Sequence, residues 1–143
     1  MPTDNTAAPK LTQELIRDEV RRYWDSIIGK DPQELSDFYA HECSVFSSMS
    51  SRAEPGRLAA TRREREYFGA LTVVRVQTSQ LDVVFLGNTV AVASYNFDFD
   101  ATHVSGHKNA EEHIEGGRAS QVFALDQDGH VRIFHEHFSL PAK

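Results

Sequence analysis

The sequence has a single cysteine and no long hydrophobic run, and these two shortages exclude whole classes of protein. Because Cys43 is the only cysteine among 143 residues, a domain stapled by internal disulfides is excluded. No stretch approaches the roughly 18 consecutive apolar residues of a membrane-spanning helix. Residues 1–10 are polar and lack the hydrophobic region of a signal peptide, so we expect a loose tail there and a cytoplasmic protein.

The chain also has too little positive charge for a nucleic-acid partner. Its net charge is -6 and its isoelectric point about 5.6, whereas phosphate binding needs a basic face. The same acidity argues against an anionic membrane surface. With 40% hydrophobic and 10% aromatic residues the chain is typical of a globular protein, and we expect one domain over residues 11–143.

Helical periodicity dominates the first half of the sequence. Apolar residues recur at helical spacing over about 12–29, with Thr12 as N-cap and Gly29 as a stop signal. The members of this stripe are Leu15, Ile16, Val20, Tyr23, Trp24, Ile27 and Ile28. Asp31-Pro32 predicts the start of a second helix, with Leu35, Phe38 and Tyr39 on its buried side. A third helix is predicted over about 57–68, after a short strand at 44–49 and a loop at 50–56.

After Leu71 the period changes to two, which is typical of β-strands. We predict strands at 72–86, 89–101, 118–125 and 130–140. Gly87-Asn88 and Asp126–Gly129 form the turns, and the polar residues 102–117 are predicted to be a mobile loop. Helices followed by an antiparallel meander indicate an α+β fold.

Strand alternation predicts which side chains share a face. The position of the last turn predicts that the numbers of two paired residues add up to about 256. This pairing places Arg118, Ser120 and Val122 on one face with Phe134, Glu136 and Phe138. The opposite face then carries Gln121, Phe123, Ile133, His135 and His137. In the earlier hairpin, Tyr95, Phe97 and Phe99 are predicted to share a face with Val76, Thr78, Gln80 and Asp82. Large aromatic rings mixed with a few polar groups are typical of a ligand pocket rather than a plain core.

The C-terminal hairpin resembles that of a known family. The run Gly117-Arg118-Ala119-Ser120-Gln121-Val122-Phe123, then Asp128-Gly129, then Val131 to Ser139 is similar to the closing hairpin of SnoaL-like domains, in the nuclear-transport-factor-2-like superfamily. The pattern His135-x-His137-x-Ser139 resembles the last strand of the SnoaL-like proteins that are related to the association domain of calcium/calmodulin-dependent protein kinase II. Trp24 in the first helix and Asp31 before the second also fit that group.

The resemblance implies a cone: three N-terminal helices packed into a strongly curved antiparallel sheet that encloses a pocket. It also implies a homodimer through the outer face of the sheet, where we place Phe123, Val131 and Ile133. Functions in the superfamily are diverse and include isomerases, cyclases, dehydratases and non-catalytic assembly domains, so the fold does not give the function. Phe97 and Phe138 stand where kinase association domains carry inward arginines.

Glu136 and Tyr95 are the best candidates for catalytic residues. A carboxylate among aromatic rings has a raised pKa, which suits acid/base chemistry near neutral pH. Tyr95 could donate a hydrogen bond to a developing oxyanion. The alternative is an Arg118–Glu136 ion pair without a catalytic role, and Asp82 is either a second carboxylate or a surface residue.

The two histidines of the last strand and the polar loop have plainer interpretations. His135 and His137 point to one side, as metal ligands can, but a third ligand is missing from the pattern, so interface or core histidines are favoured and no metal is predicted. The loop at 102–117 is either a lid with glycine hinges or an ordinary connection.

Together these observations predict a small-molecule-binding protein without a cofactor and with its reaction unassigned. The ligand is a small organic molecule, with a carboxylate as one candidate. The predicted binding residues are Trp24, Tyr95, Phe97, Arg118, Ser120, Glu136 and Phe138. The alternatives are a cofactor-independent isomerase, cyclase or dehydratase, and a non-catalytic dimerisation module.

Overall fold

The computed structural model describes residues 10–29, 32–46, 54–62, 71–105 and 108–141. Two helices come first, α1 (Gln13–Gly29) and α2 (Pro32–Asp37). They are followed by β1 (Tyr39–Phe46) and the two-residue β2 (Glu54–Pro55), and residues 57–62 are again helical. The long strands are β3 (Leu71–Leu86), β4 (Val90–Ser105), β5 (Lys108–Leu125) and β6 (Val131–Ser139).

The strands form one sheet in the order β2-β1-β6-β5-β4-β3. The meander from β3 to β6 is antiparallel throughout, whereas β1 runs parallel to β6. Helices packed against one mostly antiparallel sheet confirm the α+β prediction. Of the predicted third helix, residues 57–62 are described as helical and 63–68 lie outside the described residues.

Helix α1 closes the concave side of the sheet. Its start is capped as predicted, because the backbone N–H of Leu15 donates to Thr12 Oγ1 at 3.2 Å. The buried stripe comprises Ile16, Val20, Tyr23, Trp24, Ser26 and Ile27. Leu15 and Ile28 are exposed at the margins of the stripe, so the prediction was too wide by these two residues.

The predicted loop at 102–117 is wrong, because β4 and β5 continue as a paired hairpin. Their register runs on through Thr102↔Glu111 and His103↔Ala110 to Ser105↔Lys108. Backbone hydrogen bonds hold this extension whatever the polarity of its side chains, so composition gave a misleading signal. Residues 106–107 of the predicted loop lie outside the described residues.

Irregular positions in the ladders bend the sheet. Register shifts occur in β3 between Ser79 and Asp82, in the β4–β5 pair between Phe97 and Phe99, and in the β5–β6 pair next to Val122. An extra residue on one strand bends it and increases its twist, which gives the curved, unclosed sheet. Gln80, at the β3 bulge, has a φ of 56°, and Gly116, at the β5 bulge, has a φ of 71°.

The β3–β4 turn is longer by one residue than predicted. Leu86 pairs with Val90 instead of Thr89, so the turn contains Gly87, Asn88 and Thr89. The β3 bulge compensates for the extra turn residue, and Phe97 and Phe99 therefore pair with Thr78 and Val76 as predicted. Asp82 pairs with Ser94 and is exposed, which supports the surface interpretation of that carboxylate.

None of the helices in the described ranges is long and apolar enough to cross a membrane.

Candidate functional site

One extra residue in β6 decides which side chains enter the interior. Near the turn the pairs are Leu125↔Val131 and Phe123↔Ile133, with the predicted sum of 256. Beyond a bulge at Phe134 the register changes by one, so Gln121 lies opposite Glu136 and Ala119 opposite Phe138. Ile133, Glu136 and Phe138 are therefore all buried, although strict alternation would separate Ile133 from the other two.

The predicted face of Arg118 and Ser120 is consequently wrong. Both residues are exposed and lie on the outer side of the sheet, with Arg118 donating through Nε to Ser139 Oγ at 3.1 Å. The bulge separates them from Glu136, so the Arg118–Glu136 ion pair does not form. A ligand role for Arg118 and Ser120 in the interior loses its structural basis.

A continuous set of hydrogen bonds converges on the Glu136 carboxylate. Gln121 donates through Nε2 to Glu136 Oε1 at 2.7 Å, and the Tyr39 hydroxyl donates to Oε2 at 2.8 Å. The Tyr95 hydroxyl donates to Gln121 Oε1 at 2.8 Å, and Trp24 Nε1 donates to the Tyr95 oxygen at 3.0 Å. We call these five residues, Trp24, Tyr95, Gln121, Glu136 and Tyr39, the relay. It joins helix α1 to strands β1, β4, β5 and β6.

Glu136 is unusual because it is completely buried. Of all Asp, Glu, Lys, Arg and His side chains in the described residues, that of Glu136 alone is buried. Burial raises the pKa of its carboxyl from 4.5 to about 7, while hydrogen bonds from Gln121, Tyr39 and Tyr23 offset part of that rise. The sequence prediction of a desolvated carboxyl at Glu136 agrees with this placement, and the carboxyl can exchange a proton near neutral pH.

Aromatic rings form a wall beside the relay. The ring centroids of Trp24 and Phe97 lie 5.1 Å apart, and Phe138 lies 5.7 Å from each of them. Tyr23 packs edge-on against Trp24 at 5.5 Å. We call Trp24, Phe97 and Phe138 the aromatic wall. All three residues were predicted to line the interior, and the structure brings them together with Tyr95 and Glu136.

The prediction missed two members of the relay, Gln121 and Tyr39. Gln121 was placed on the opposite face, since the β6 bulge has no sequence signal that alternation detects. Tyr39 was assigned to helix α2 but begins β1, where its hydroxyl reaches Glu136 and lies 3.0 Å from the Tyr23 hydroxyl. Buried tyrosines at Tyr23 and Tyr39 were a usable signal, because a buried phenol needs a hydrogen-bond partner.

Comparison with protein-family models classifies the chain. The model of the SnoaL-like domain matches residues 16–143. The chain belongs to the SnoaL-like family. The resemblance that the closing hairpin suggested is thereby confirmed. No curated protein sequence is significantly similar to the chain.

Solved structures agree with a SnoaL-like fold. A protein named as a candidate dehydratase of the NTF2-like family from Streptomyces avermitilis has a TM-score of 0.76 and 14% identity, covering 91% of this chain and 97% of its own. A candidate calcium/calmodulin-dependent protein kinase II association domain from Xanthomonas campestris has a TM-score of 0.75 and 17% identity, covering 100% and 98%. A candidate ketosteroid isomerase from Parabacteroides distasonis has a TM-score of 0.66 and 14% identity, covering 99% and 93%. At these identities the likeness shows the fold.

The histidines of the SnoaL-like closing motif lie on the outer face of the sheet. His135 Nδ1 lies 2.7 Å from Ser44 Oγ, and the Phe46 ring contacts both His135 and His137. They are thus on the side opposite Glu136.

Phe123 and Ile133 were predicted to form a dimer face. Both side chains are fully buried in the chain's own core, so the prediction of a dimer contact through these two residues is wrong.

A crevice of about 230 Å³ lies apart from the relay, between α1, α2 and the β5–β6 turn. It contains two arginines, and both are already paired. Arg22 donates to Glu19 at 2.7 Å, and Arg132 donates to Asp126 and to the backbone carbonyl of Asp37. These pairs hold the turn against the helices and leave the relay as the better candidate site.

Proposed function

We propose that this SnoaL-like protein binds a small organic molecule between helix α1 and the concave face of the sheet, against the aromatic wall. The observation that carries this proposal is the buried Glu136 at the end of the relay. Burying a carboxyl away from cations costs stability, and strongly perturbed pKa values cluster at functional sites. An apolar surface with a few placed polar groups is also the usual composition of a ligand site.

The composition of the interior favours a neutral, largely apolar ligand. Arg118, the residue that motivated a carboxylate ligand, lies on the outer face. At Phe97 and Phe138, where kinase association domains carry arginines, rings of the aromatic wall face the interior instead. A second carboxylate beside Glu136 would add like-charge repulsion in a poorly solvated place. We therefore expect neutral aromatic or alicyclic compounds to bind and their anions to be rejected.

Trp24 provides a direct assay, because it is the only tryptophan of the chain and is part of the aromatic wall. Neutral fragments and matched acids, such as 2-acetonaphthone and 2-naphthoic acid, are titrated while the emission of Trp24 is followed. We expect the ketone to change the emission and the acid to have no effect at the same concentration. Isothermal titration calorimetry confirms binding independently of the optical signal.

Matched substitutions locate the ligand. Phe97→Leu removes a ring of the aromatic wall and should weaken binding by about 1 kcal/mol, roughly fivefold in Kd. Phe46→Leu makes the same change on the outer face and should leave Kd unchanged. Equal loss in both variants, or no emission change with any neutral fragment at millimolar concentration in folded protein, would refute the proposal.

An acid/base enzyme is the second candidate function, favoured by the pKa of Glu136 near 7. Two solved structures with this fold are named as a candidate dehydratase and a candidate ketosteroid isomerase, reactions that move protons. Glu136 would exchange the proton and Tyr95 would donate to an oxyanion. With a substrate in hand, Glu136→Gln should abolish turnover while binding survives. Full turnover in that variant would assign the chemistry elsewhere.

We also infer a homodimer through the outer face, the arrangement that the family resemblance implies. One row of side chains crosses this face in register, Val84↔Val92↔Val122↔His135, and Val84 is 53% exposed. Val122→Glu should convert the dimer into a monomer in light scattering at micromolar concentration. A monomeric wild-type protein would refute this inference and would also count against an assembly module.

A further inference from the structure

Every donor in one branch of the relay points toward Glu136. Trp24 donates to Tyr95, Tyr95 to Gln121, and Gln121 to Glu136 Oε1. An ionised carboxylate can only accept hydrogen bonds, so this direction is the one that ionised Glu136 selects. The Gln121 amide is the element that fixes the direction, because it offers an acceptor on one side and donors on the other.

Protonation of Glu136 conflicts with this direction. A proton on Oε1 faces Gln121 Nε2, which is a donor and cannot accept it. If the amide turns over, its oxygen accepts the Glu136 proton and its Nε2 donates to Tyr95. In the observed orientation the Tyr95 hydroxyl donates to Gln121 Oε1. Once the amide has turned over, this hydroxyl must direct its proton to another acceptor. The oxygen of a bound ligand is such an acceptor, since Tyr95 lies beside the aromatic wall.

We propose that proton uptake by Glu136 turns the Gln121 amide over and redirects the Tyr95 hydroxyl toward the ligand, so that ligands with a hydrogen-bond acceptor are bound together with a proton. This regulation rests on the binding function proposed above, whereas the switch itself can be measured without a ligand. Gln121 acts as a positioning residue, because it contacts Glu136 and Tyr95 and orients both.

Glu136 faces other titratable groups as well. Tyr23 lies on α1, Tyr39 and Cys43 on β1, and Arg57, from the helical segment, donates to the Tyr39 carbonyl at 2.7 Å. Burial, with a contribution from Glu136, raises the pKa of the Cys43 thiol to about 11. Arginine keeps its charge at every pH of interest. A transition near pH 7 at the relay is therefore assigned to Glu136, whose raised pKa supports it.

The other branch of the relay offers a competing route. A proton on Glu136 Oε2 could be donated to Tyr39, whose hydroxyl lies 3.0 Å from that of Tyr23. On that route the Gln121 amide and Tyr95 keep their orientation. The two routes therefore differ in whether Trp24 senses the proton.

Nuclear magnetic resonance of the free protein separates the routes. The single indole N–H of Trp24 gives one resolved signal, and the side-chain amide of Gln121 gives another pair. Between pH 5 and pH 9 we expect both to shift with one midpoint near 7, equal to the midpoint of the Glu136 carboxyl carbon. A Trp24 signal that stays constant while Glu136 titrates would overturn the proposal.

Three variants complete the test. Glu136→Gln should abolish the pH dependence of the Trp24 signal, and Gln121→Met should abolish it while Glu136 still titrates. Tyr39→Phe should retain it. A pH dependence of the Trp24 signal that persists in Gln121→Met would show that the Gln121 amide does not transmit the proton, and would overturn the proposal. If Gln121→Met does not fold, the Gln121 amide signal of the wild type gives the same decision. The two proposals can fail separately: the protein can show the proton switch without binding any neutral fragment, and it can bind a neutral fragment without showing the switch.

Discussion

Replacing Glu136 by glutamine should make the protein more stable at high pH. Glutamine has the shape of the carboxyl group but never ionises, so it removes the cost of burying a charge. Folded Glu136 holds its proton up to about pH 7, whereas the unfolded chain releases it near 4.5. Because only the folded state is protonated between these values, the wild type loses stability as pH rises through this window. The loss amounts to about 3 kcal/mol and is complete above about pH 7.

Urea unfolding followed by Trp24 emission at several pH values measures this difference. The gap between Glu136→Gln and wild type should widen in favour of the variant between pH 5 and pH 8. His113, whose pKa is raised by Asp100, also loses a stabilising contact as pH rises, but it is present in both proteins and cancels. Glu42→Gln makes the same substitution at an exposed position and is the matched control. A constant gap would mean that Glu136 keeps an ordinary pKa in the folded protein.

Three further predictions follow from individual contacts. Gly117→Ala places a Cβ 2.5 Å from the Phe97 ring, which the aromatic wall holds in place, and should cost roughly 1–3 kcal/mol in denaturant unfolding; unchanged stability would show that the ring can move aside. Thr12→Ala removes the cap at Leu15 and should cost about 1 kcal/mol, whereas Thr12→Ser should restore it. Cys43 is buried and its pKa is raised, so a thiol reagent should label it only after unfolding, and rapid labelling of native protein would contradict its placement.

Local signals in the sequence were sufficient for helix α1 and for the class of fold. The stripe from Ile16 to Ile27 and the cap at Thr12 depend on neighbours within one or two turns, so periodicity reveals them. Alternation within single strands likewise predicted that the large rings of Phe97, Phe99 and Phe138 enter the core. The burial of Glu136 and the raised pKa of its carboxyl were also predicted correctly, whereas its role in function stays a prediction.

Long-range register was the information that the sequence concealed. Alternation assumes that a strand keeps one phase, and the bulge at Phe134 changes the phase between Ile133 and Glu136. Bulges are set by the packing of the whole sheet, so no residue pattern within β6 marks this one. The errors at Arg118 and Gln121, which exchanged the outer and inner faces, both come from it.

The bulge in β6 also affects how relatives should be aligned. The three solved structures described above share 14–17% of their residues with the chain, so sequence alone leaves the position of a single gap in the last strand open. A relative without the extra residue would turn its His-x-His pair inward and its glutamate outward. Family members should therefore be sorted by strand pairing before any residue equivalent to Glu136 is assigned to them.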